Sequence, residues 1–310
     1  MAKENEISLT RVYDAPVKLV WEAWTDPKKA AKWWGPRGFT ITTHSKDFRP
    51  GGIWHYTMHG PDGTDYPNKT LYHEVVEYRR LVYDHGGNDE QKPLFKVTVT
   101  FNEVKGKTVM AMIMSFESAE VRKQIGAFIK QAGGNATWDR LGEYLGDESG
   151  KNRFIINRSF ETTVSTMYKM WTDPKNLEKW MPPTGLTMEC SRADVKVGGA
   201  LVFKMTNGKD ITMYGRLQYR DLVPDKRIMY VQEFLDNKGN LSRHPMLQVF
   251  PSAMLVIIEL NEEGPTQTRV TVSMEPTGAF NKEEAEAFTG QRGNMTMGWT
   301  GSLDKLDDLI

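Results

Sequence analysis

Residues 11–58 read RVYDAPVKLVWEAWTDPKKAAKWWGPRGFTITTHSKDFRPGGIWHYTM, and residues 158–205 read RSFETTVSTMYKMWTDPKNLEKWMPPTGLTMECSRADVKVGGALVFKM. Arg11, the run from Trp24 to Pro27, Trp33, Asp47, Gly51 and Gly52 return as Arg158, Trp171 to Pro174, Trp180, Asp194, Gly198 and Gly199. Each is moved by 147 positions without a gap, and 16 of the 48 positions are identical. The stretch contains a helix, two strands and their turns, so the chain carries one fold twice. A repeat this long is a whole domain, and the function belongs to that fold.

The boundaries follow from length and composition. At 310 residues the chain suits two domains, and each half, about 150 residues, buries roughly 70% of its unfolded surface. Domains over residues 1–147 and 152–310 are expected, joined by a polar, glycine-bearing linker from Gly146 to Asn152. The 40 basic and 40 acidic residues balance, so no bulk field draws the chain to nucleic acid or an anionic membrane. Cys190 is the single cysteine and forms no internal disulfide. Residues 1–6 lack the apolar stretch of a signal peptide, and no apolar run approaches the roughly 18 residues of a membrane span. A cytoplasmic location is expected.

Within the first half, Ile7 to Val12 alternates as a half-buried strand. Asp14-Ala15-Pro16 predicts a helix start, with Asp14 or its neighbour as cap. Val17, Val20, Trp21 and Trp24 share one face of that helix. Asp26-Pro27 breaks it and starts a shorter one. Strands are predicted at Phe39–Ser45, Ile53–His59, Leu71–Val76, Leu81–His85, Leu94–Asn102 and Thr108–Phe116, with turns at Gly51-Gly52, Pro61-Asp62-Gly63 and Lys105-Gly106-Lys107. Six strands without a crossover helix make an antiparallel meander. A helical stretch from Ser118 to Leu145, interrupted at Gly133-Gly134, closes the unit and is the only large apolar cover for the sheet. The second half repeats this order and ends in a helix carrying Trp299, Leu303, Leu306 and Ile310.

These features, the W-T-D-P break, D-x-x-x-G-G opening a strand at Asp47–Gly52, P-D-G at Pro61–Gly63, and the closing Gly298-Trp299 with Leu303 and Leu306, together resemble the bacterial relatives of the activator of the ninety-kilodalton heat-shock-protein ATPase. That family lies in the START and birch-pollen-allergen-like (SRPBCC) superfamily. The resemblance implies an α+β helix-grip fold in each half, a curved antiparallel sheet of six to seven strands wrapped around a long C-terminal helix. It also implies a cavity between sheet and helix that takes apolar small molecules. In the first half, Gly133-Gly134-Asn135 stands where the family has Gly-Trp, and Trp138 falls at a family leucine.

Alternation puts Trp54, Tyr56 and Met58 on one strand face, with Leu201, Phe203 and Met205 as counterparts, and Met110, Met112 and Met114 on another. With Tyr72, Trp138, Tyr214 and Trp299 they are the candidate cavity lining. Methionine is flexible and polarizable, which suits an adaptable pocket; a fully packed core produces the same stripes.

No catalytic residue, metal or cofactor is expected. His55 and His59 share a strand face but lie roughly 13 Å apart along it, too far for one ion. Neither a H-E-x-x-H, a G-x-S-x-G nor a P-loop is present. Tyr72, His73 and Glu74 are candidates for proton transfer at a cavity rim, with an exposed strand as the plainer reading. Asp26 and Asp173 read as helix caps. Arg11 and Arg158 read as ion-pair partners of Asp14 and Glu161, or as ligand contacts. The expected function is non-enzymatic binding of an apolar small molecule of lipid, flavonoid or polyketide type. The alternatives implied by the resemblance are a module that stimulates a chaperone ATPase, with a chaperone as partner, and, ranked lowest, a polyketide aromatase or cyclase.

Overall fold

The computed structural model describes residues 3–131, 136–149 and 152–310. It divides into two compact units, Met1–Ser149 and Gly150–Ile310. The first contains β1 (Glu6–Tyr13), α1 (Val17–Thr25), α2 (Pro27–Trp33), β2 (Thr40–Lys46), β3 (Ile53–His59), β4 (Asp65–Val76), β5 (Arg80–His85), β6 (Phe95–Val104), β7 (Lys107–Ser115), α3 (Ala119–Gln131) and α4 (Ala136–Glu148). The second contains β8 (Phe154–Phe160), α5 (Val164–Thr172), α6 (Pro174–Trp180), β9 (Thr187–Ala193), β10 (Ala200–Thr206), β11 (Thr212–Val223), β12 (Arg227–Leu235), β13 (Ala253–Gly264), β14 (Gln267–Pro276), α7 (Lys282–Gly290) and α8 (Arg292–Asp307).

Each unit has one seven-stranded antiparallel sheet, ordered β1-β7-β6-β5-β4-β3-β2 and β8-β14-β13-β12-β11-β10-β9. This is the expected meander, closed by the first strand pairing with the last. Leu141 and Leu145 of α4 join the apolar face of the first sheet in one core, and Leu303 and Leu306 of α8 do the same in the second. The helix-grip architecture is therefore present twice.

The Gly-Gly turn shows why the motif recurs. A Cβ on Gly52 would overlap the Asp47 carbonyl oxygen, and one on Gly199 would overlap that of Asp194. Only glycine permits so close an approach. The turn is then tied to β4: the Gly51 amide donates to the Tyr72 carbonyl (2.7 Å) and the Tyr72 amide to the Gly52 carbonyl (3.0 Å). Gly198, Gly199 and Tyr219 repeat both bonds, at 2.9 and 3.0 Å.

Several local expectations need correction. β4 begins at Asp65 and not at Leu71, because Asp65–Leu71 pairs with β3 residue by residue. The cap position of α1 is Pro16, with no side-chain bond; the Val17 amide donates instead to Glu103 on β6 (2.8 Å). In the second unit Thr163 caps α5 itself, accepting from the Thr166 amide. Gly146 is helical, within α4, so the polar Gly146–Asn152 stretch starts as helix. Gly133–Asn135 and the linker residues Gly150 and Lys151 lie outside the described residues.

Candidate ligand site inside each unit

The W-T-D-P run builds the wall of the interior. Asp26 accepts from the Lys28 and Lys29 amides (2.7 and 3.2 Å), and Asp173 accepts from the Lys175 amide (2.9 Å). Each aspartate thus starts the second helix as expected. That helix returns a tryptophan onto the first: Trp33 Nε1 donates to the Ala23 carbonyl (3.1 Å), and Trp180 Nε1 to the Met170 carbonyl (2.9 Å). The other tryptophan of the motif is left differently. Trp24 Nε1 and Trp171 Nε1 are buried, and neither finds an acceptor among the described residues.

Two tyrosines face the same interior in each unit. Tyr72 and Tyr83 are cross-strand partners on β4 and β5, and Tyr219 and Tyr230, each 147 positions on, are partners on β11 and β12. The rings of each pair lie edge to face with centroids 6.1 Å apart. Burial pushes all four phenols well above their ordinary range, so all are protonated at neutral pH. The phenol oxygens of Tyr219 and Tyr230 are buried without a protein partner among the described residues.

Between Trp24, Trp34, Trp54, Thr70, Tyr72 and Tyr83 the first unit encloses a space of about 10 Å³, room for no more than one water. Its walls are nearly all aromatic. Trp24 touches Trp33, Trp34, Tyr83 and Phe101 and stacks on Trp138 at 5.6 Å and 9°. Trp34 Nε1 donates to the Tyr56 hydroxyl (3.3 Å), whose pKa burial pushes up to about 12. At the wall Lys46 lies 3.9 Å over the Trp54 ring and donates to the Trp24 carbonyl (2.9 Å). Burial lowers its ammonium to about 7, against the opposing pull of Asp26. His85 sits between Trp34, Tyr83 and Phe95, and burial lowers its imidazole to about 4. A separate groove of about 350 Å³ opens outside, between α3 and the ends of β5 to β7, lined by charged Asp84, Lys96 and Glu117 as well as by Leu94, Val121 and Ile125.

The second interior is built differently. Buried there are Met167, Met170, Met181, Met188, Met205, Met254 and Met274, against Met110, Met112 and Met114 in the first. Where the first unit has Trp34, Trp54 and Tyr56, the second has Met181, Leu201 and Phe203. Trp171 stacks on Trp299 at 6.0 Å and 22°, and among the described residues Trp299 Nε1 donates to the Met274 thioether alone (3.2 Å).

Of the residues named from the sequence, Trp54, Tyr56, Tyr72, Met110, Met112 and Met114 are buried in the first core, with Met58 and Trp138 packed against it. Leu201, Phe203 and Met205 are buried in the second, with Trp299 packed against it. Tyr214 is a correction. Gly215, Leu217 and Tyr219 take the inward positions of β11, so Tyr214 is on the outer face, paired with Lys204. The Tyr72-His73-Glu74 group is also dispersed: a bulge lies between Tyr72 and Glu74, leaving Tyr72 inside while His73 pairs with Asp84 (2.8 Å) and Glu74 with Arg80 (3.2 Å). Arg11 reaches α4, where it pairs with buried Asp139 (3.9 Å), and Arg158 reaches Asp304 and Asp307 on α8. Tyr83, Tyr219 and Tyr230 were not singled out from the sequence. Extending the 147-residue register past Met58 to Tyr72 and Tyr83 finds them.

Comparison with known proteins adds the family. The model of the family described as Activator of Hsp90 ATPase homolog 1-like protein matches residues 14–146 and 161–310. The chain belongs to this family. It is a tandem two-domain member, each match filling most of one unit. A crystal structure of a Nitrosomonas europaea protein is similar at 25% identity over 48% of this chain and 98% of that one (TM-score 0.43). One from Mycobacterium smegmatis is similar at 26% identity, covering 45% and 89% (TM-score 0.41). The di-domain ARO/CYC BexL from the BE-7585A biosynthetic pathway is similar over 98% of this chain and 97% of its own at 12% identity (TM-score 0.39). Among curated proteins, none matches. No helix among the described residues of this family member is long and apolar enough to cross a membrane.

Proposed function

We propose that the chain binds an apolar small molecule inside its second unit, and that the first unit is a packed relative of that binding domain. The observation that carries this reading is the group of buried donors, Trp171 Nε1 and the Tyr219 and Tyr230 hydroxyls, without acceptors among the described residues in an otherwise apolar core. A buried polar group left unpaired costs about 1–3 kcal/mol. Three in one core are better supported by a bound partner than by packing alone. The surrounding methionines supply the means of opening, since an unbranched thioether changes rotamer with at most a weak hydrogen bond to break, the one from Trp299 Nε1 to Met274. The high phenol pKa values make these groups hydrogen-bond donors and poor bases, which favours binding over proton-abstraction chemistry. The chaperone reading rests on the family's name.

Removing roughly 300 Å² of ligand from water yields a gross 7 to 8 kcal/mol at roughly 25 cal/mol per Å², and ordering costs bring the affinity to the micromolar range. The test is a methionine-methyl NMR titration of the intact chain with flat and elongated apolar compounds. Shifts at Met205 and Met274, with Met110 and Met112 unmoved, are the expected result. A panel that moves no methyl of the second unit sinks the reading.

A further inference from the structure

Resting on that binding reading, we infer that the molecule held in the second unit is a neutral aromatic carbonyl compound, an aryl ketone or quinone, whose oxygen accepts from Tyr219 and Tyr230. The argument concerns which half of each hydrogen bond the protein leaves unmade. Indole Nε1 can only donate. A phenol both donates and accepts, but a buried oxygen short of one partner is tolerated somewhat better than a buried hydrogen without one. The interior of the second unit therefore lacks acceptors. Trp299 makes the same point, since among the described residues its Nε1 finds only the Met274 sulfur, a weak acceptor. A carbonyl oxygen has two lone pairs, and the two tyrosines are cross-strand partners with ring centroids 6.1 Å apart, so one oxygen between their hydroxyls takes both hydrogens.

The charge state follows from the neighbours. The titratable groups that act on this pair are Cys190 and Tyr168 on Tyr219, and Tyr219 on Tyr230. None carries positive charge, and the Cys190 thiol is itself pushed up to about 12 by burial and by Glu178. A carboxylate or phosphate placed there would be a buried anion without a cation, which costs far more than the two hydrogen bonds return. A ligand hydroxyl fits less well, because it donates to one phenol oxygen and so leaves that phenol's own hydrogen unpaired. The remaining walls, Leu201, Phe203, Leu217 and Ile228, are apolar and suit a ring system.

The matched probes 9-fluorenone and fluorene have nearly the same shape and differ in one carbonyl oxygen. Titrated into the intact chain and followed by tryptophan fluorescence, fluorenone is expected to bind about tenfold more tightly, the gain of one to two net hydrogen bonds. In Tyr219→Phe/Tyr230→Phe the gap closes to within about twofold while the affinity for fluorene holds. Fluorene binding also reports that this variant is folded. In Tyr72→Phe/Tyr83→Phe, the equivalent change in the first unit, the gap persists. Equal binding of both probes to the unaltered chain, or a gap that survives in Tyr219→Phe/Tyr230→Phe, overturns the carbonyl assignment and leaves the binding reading standing. A gap lost only in Tyr72→Phe/Tyr83→Phe moves the site to the first unit and overturns both. If neither probe binds, the binding reading itself fails and the carbonyl assignment falls with it.

Discussion

The two units have the same topology and the same Trp, Tyr, Tyr positions, yet one interior is closed by rings and the other by methionines. Six of the nine tryptophans lie in the first unit. Rigid rings packed edge to face fix one another and leave a space for at most a water. In the second unit Met181, Leu201 and Phe203 stand at the places of Trp34, Trp54 and Tyr56, and the methionines packed around them move at little cost. A duplicated fold therefore keeps its backbone and its polar positions while the choice between rigid and soft filling decides which copy has room to adapt.

The sharpest way to break this contrast is truncation of the shared tryptophan. Trp24→Ala should cost about 5 kcal/mol and Trp171→Ala about 3, because five aromatic neighbours hold the first and softer side chains can collapse around the second. Amide exchange read separately for peptides of each unit measures both. Equal costs would remove the distinction between rigid and soft cores.

A second test uses the repeated arginine. Arg11 and Asp139 are 2% and 3% exposed, whereas Asp304 and Asp307, the partners of Arg158, are 56% and 47% exposed. Arg11→Met leaves a buried carboxylate without its guanidinium and should cost about 3–5 kcal/mol. Arg158→Met should cost under about 1 kcal/mol. Chemical denaturation of the two variants decides it, and a large loss from Arg158→Met would show a tighter second pair than the geometry describes.

Lys46 has Ala193 as its counterpart, so its titration belongs to the first unit alone. Burial lowers the ammonium from 10.5 to about 7 in the folded state. The unfolded chain then binds more protons between those values, and stability falls as pH drops from 10.5 to 7, the penalty being complete below 7. The Trp54 face opposes the shift by favouring the charged form. Lys46→Met also gives up the Trp54 ring contact and the bond to the Trp24 carbonyl, which offset more than half of that penalty, so it should stabilise the first unit by about 2 kcal/mol at pH 6.5 and not at pH 10.5. A gain that does not change with pH would mean that the effect is one of packing.

The smallest expected effect is acid lability at His85, where the second unit has Gln232. The folded imidazole is lowered from 6.5 to about 4, so stability drops as pH falls between those values and levels off below 4. His85→Gln should flatten that slope by about 1 kcal/mol without affecting the second unit. Exchange rates at pH 4.5 and 6.5 check this.

The strands were legible in the sequence because period-two alternation and glycine turns are local signals, and the helix break at Asp26 and Asp173 was legible because capping is local too. What was lost depended on distant partners. The bulge after Tyr72 turns Glu74 outward, and one extra residue in a strand reverses every face that follows. Arg11 finds its carboxylate on α4, more than a hundred residues away, where spacing gives no hint. Met110, Met112 and Tyr56 were read onto the correct face, but whether a cavity stays open depends on how side chains from five or six elements fill one volume. Tyr214 was misread in isolation. Its neighbour Gly215 lies under Phe203, where a Cβ would collide with the ring, and that contact fixes which face looks inward.

The near-parallel indole pairs have an optical consequence. Trp24 over Trp138 and Trp171 over Trp299 bring two identical chromophores within about one ring width in each unit. Transition dipoles at such separations couple, so each pair should give a signed doublet in ultraviolet circular dichroism that a lone indole lacks. The first doublet belongs to a rigid cluster and should stay constant until that unit melts. The second depends on an angle between α5 and α8 that a guest molecule would alter, so the protein carries its own spectroscopic gauge of whether its second interior is occupied.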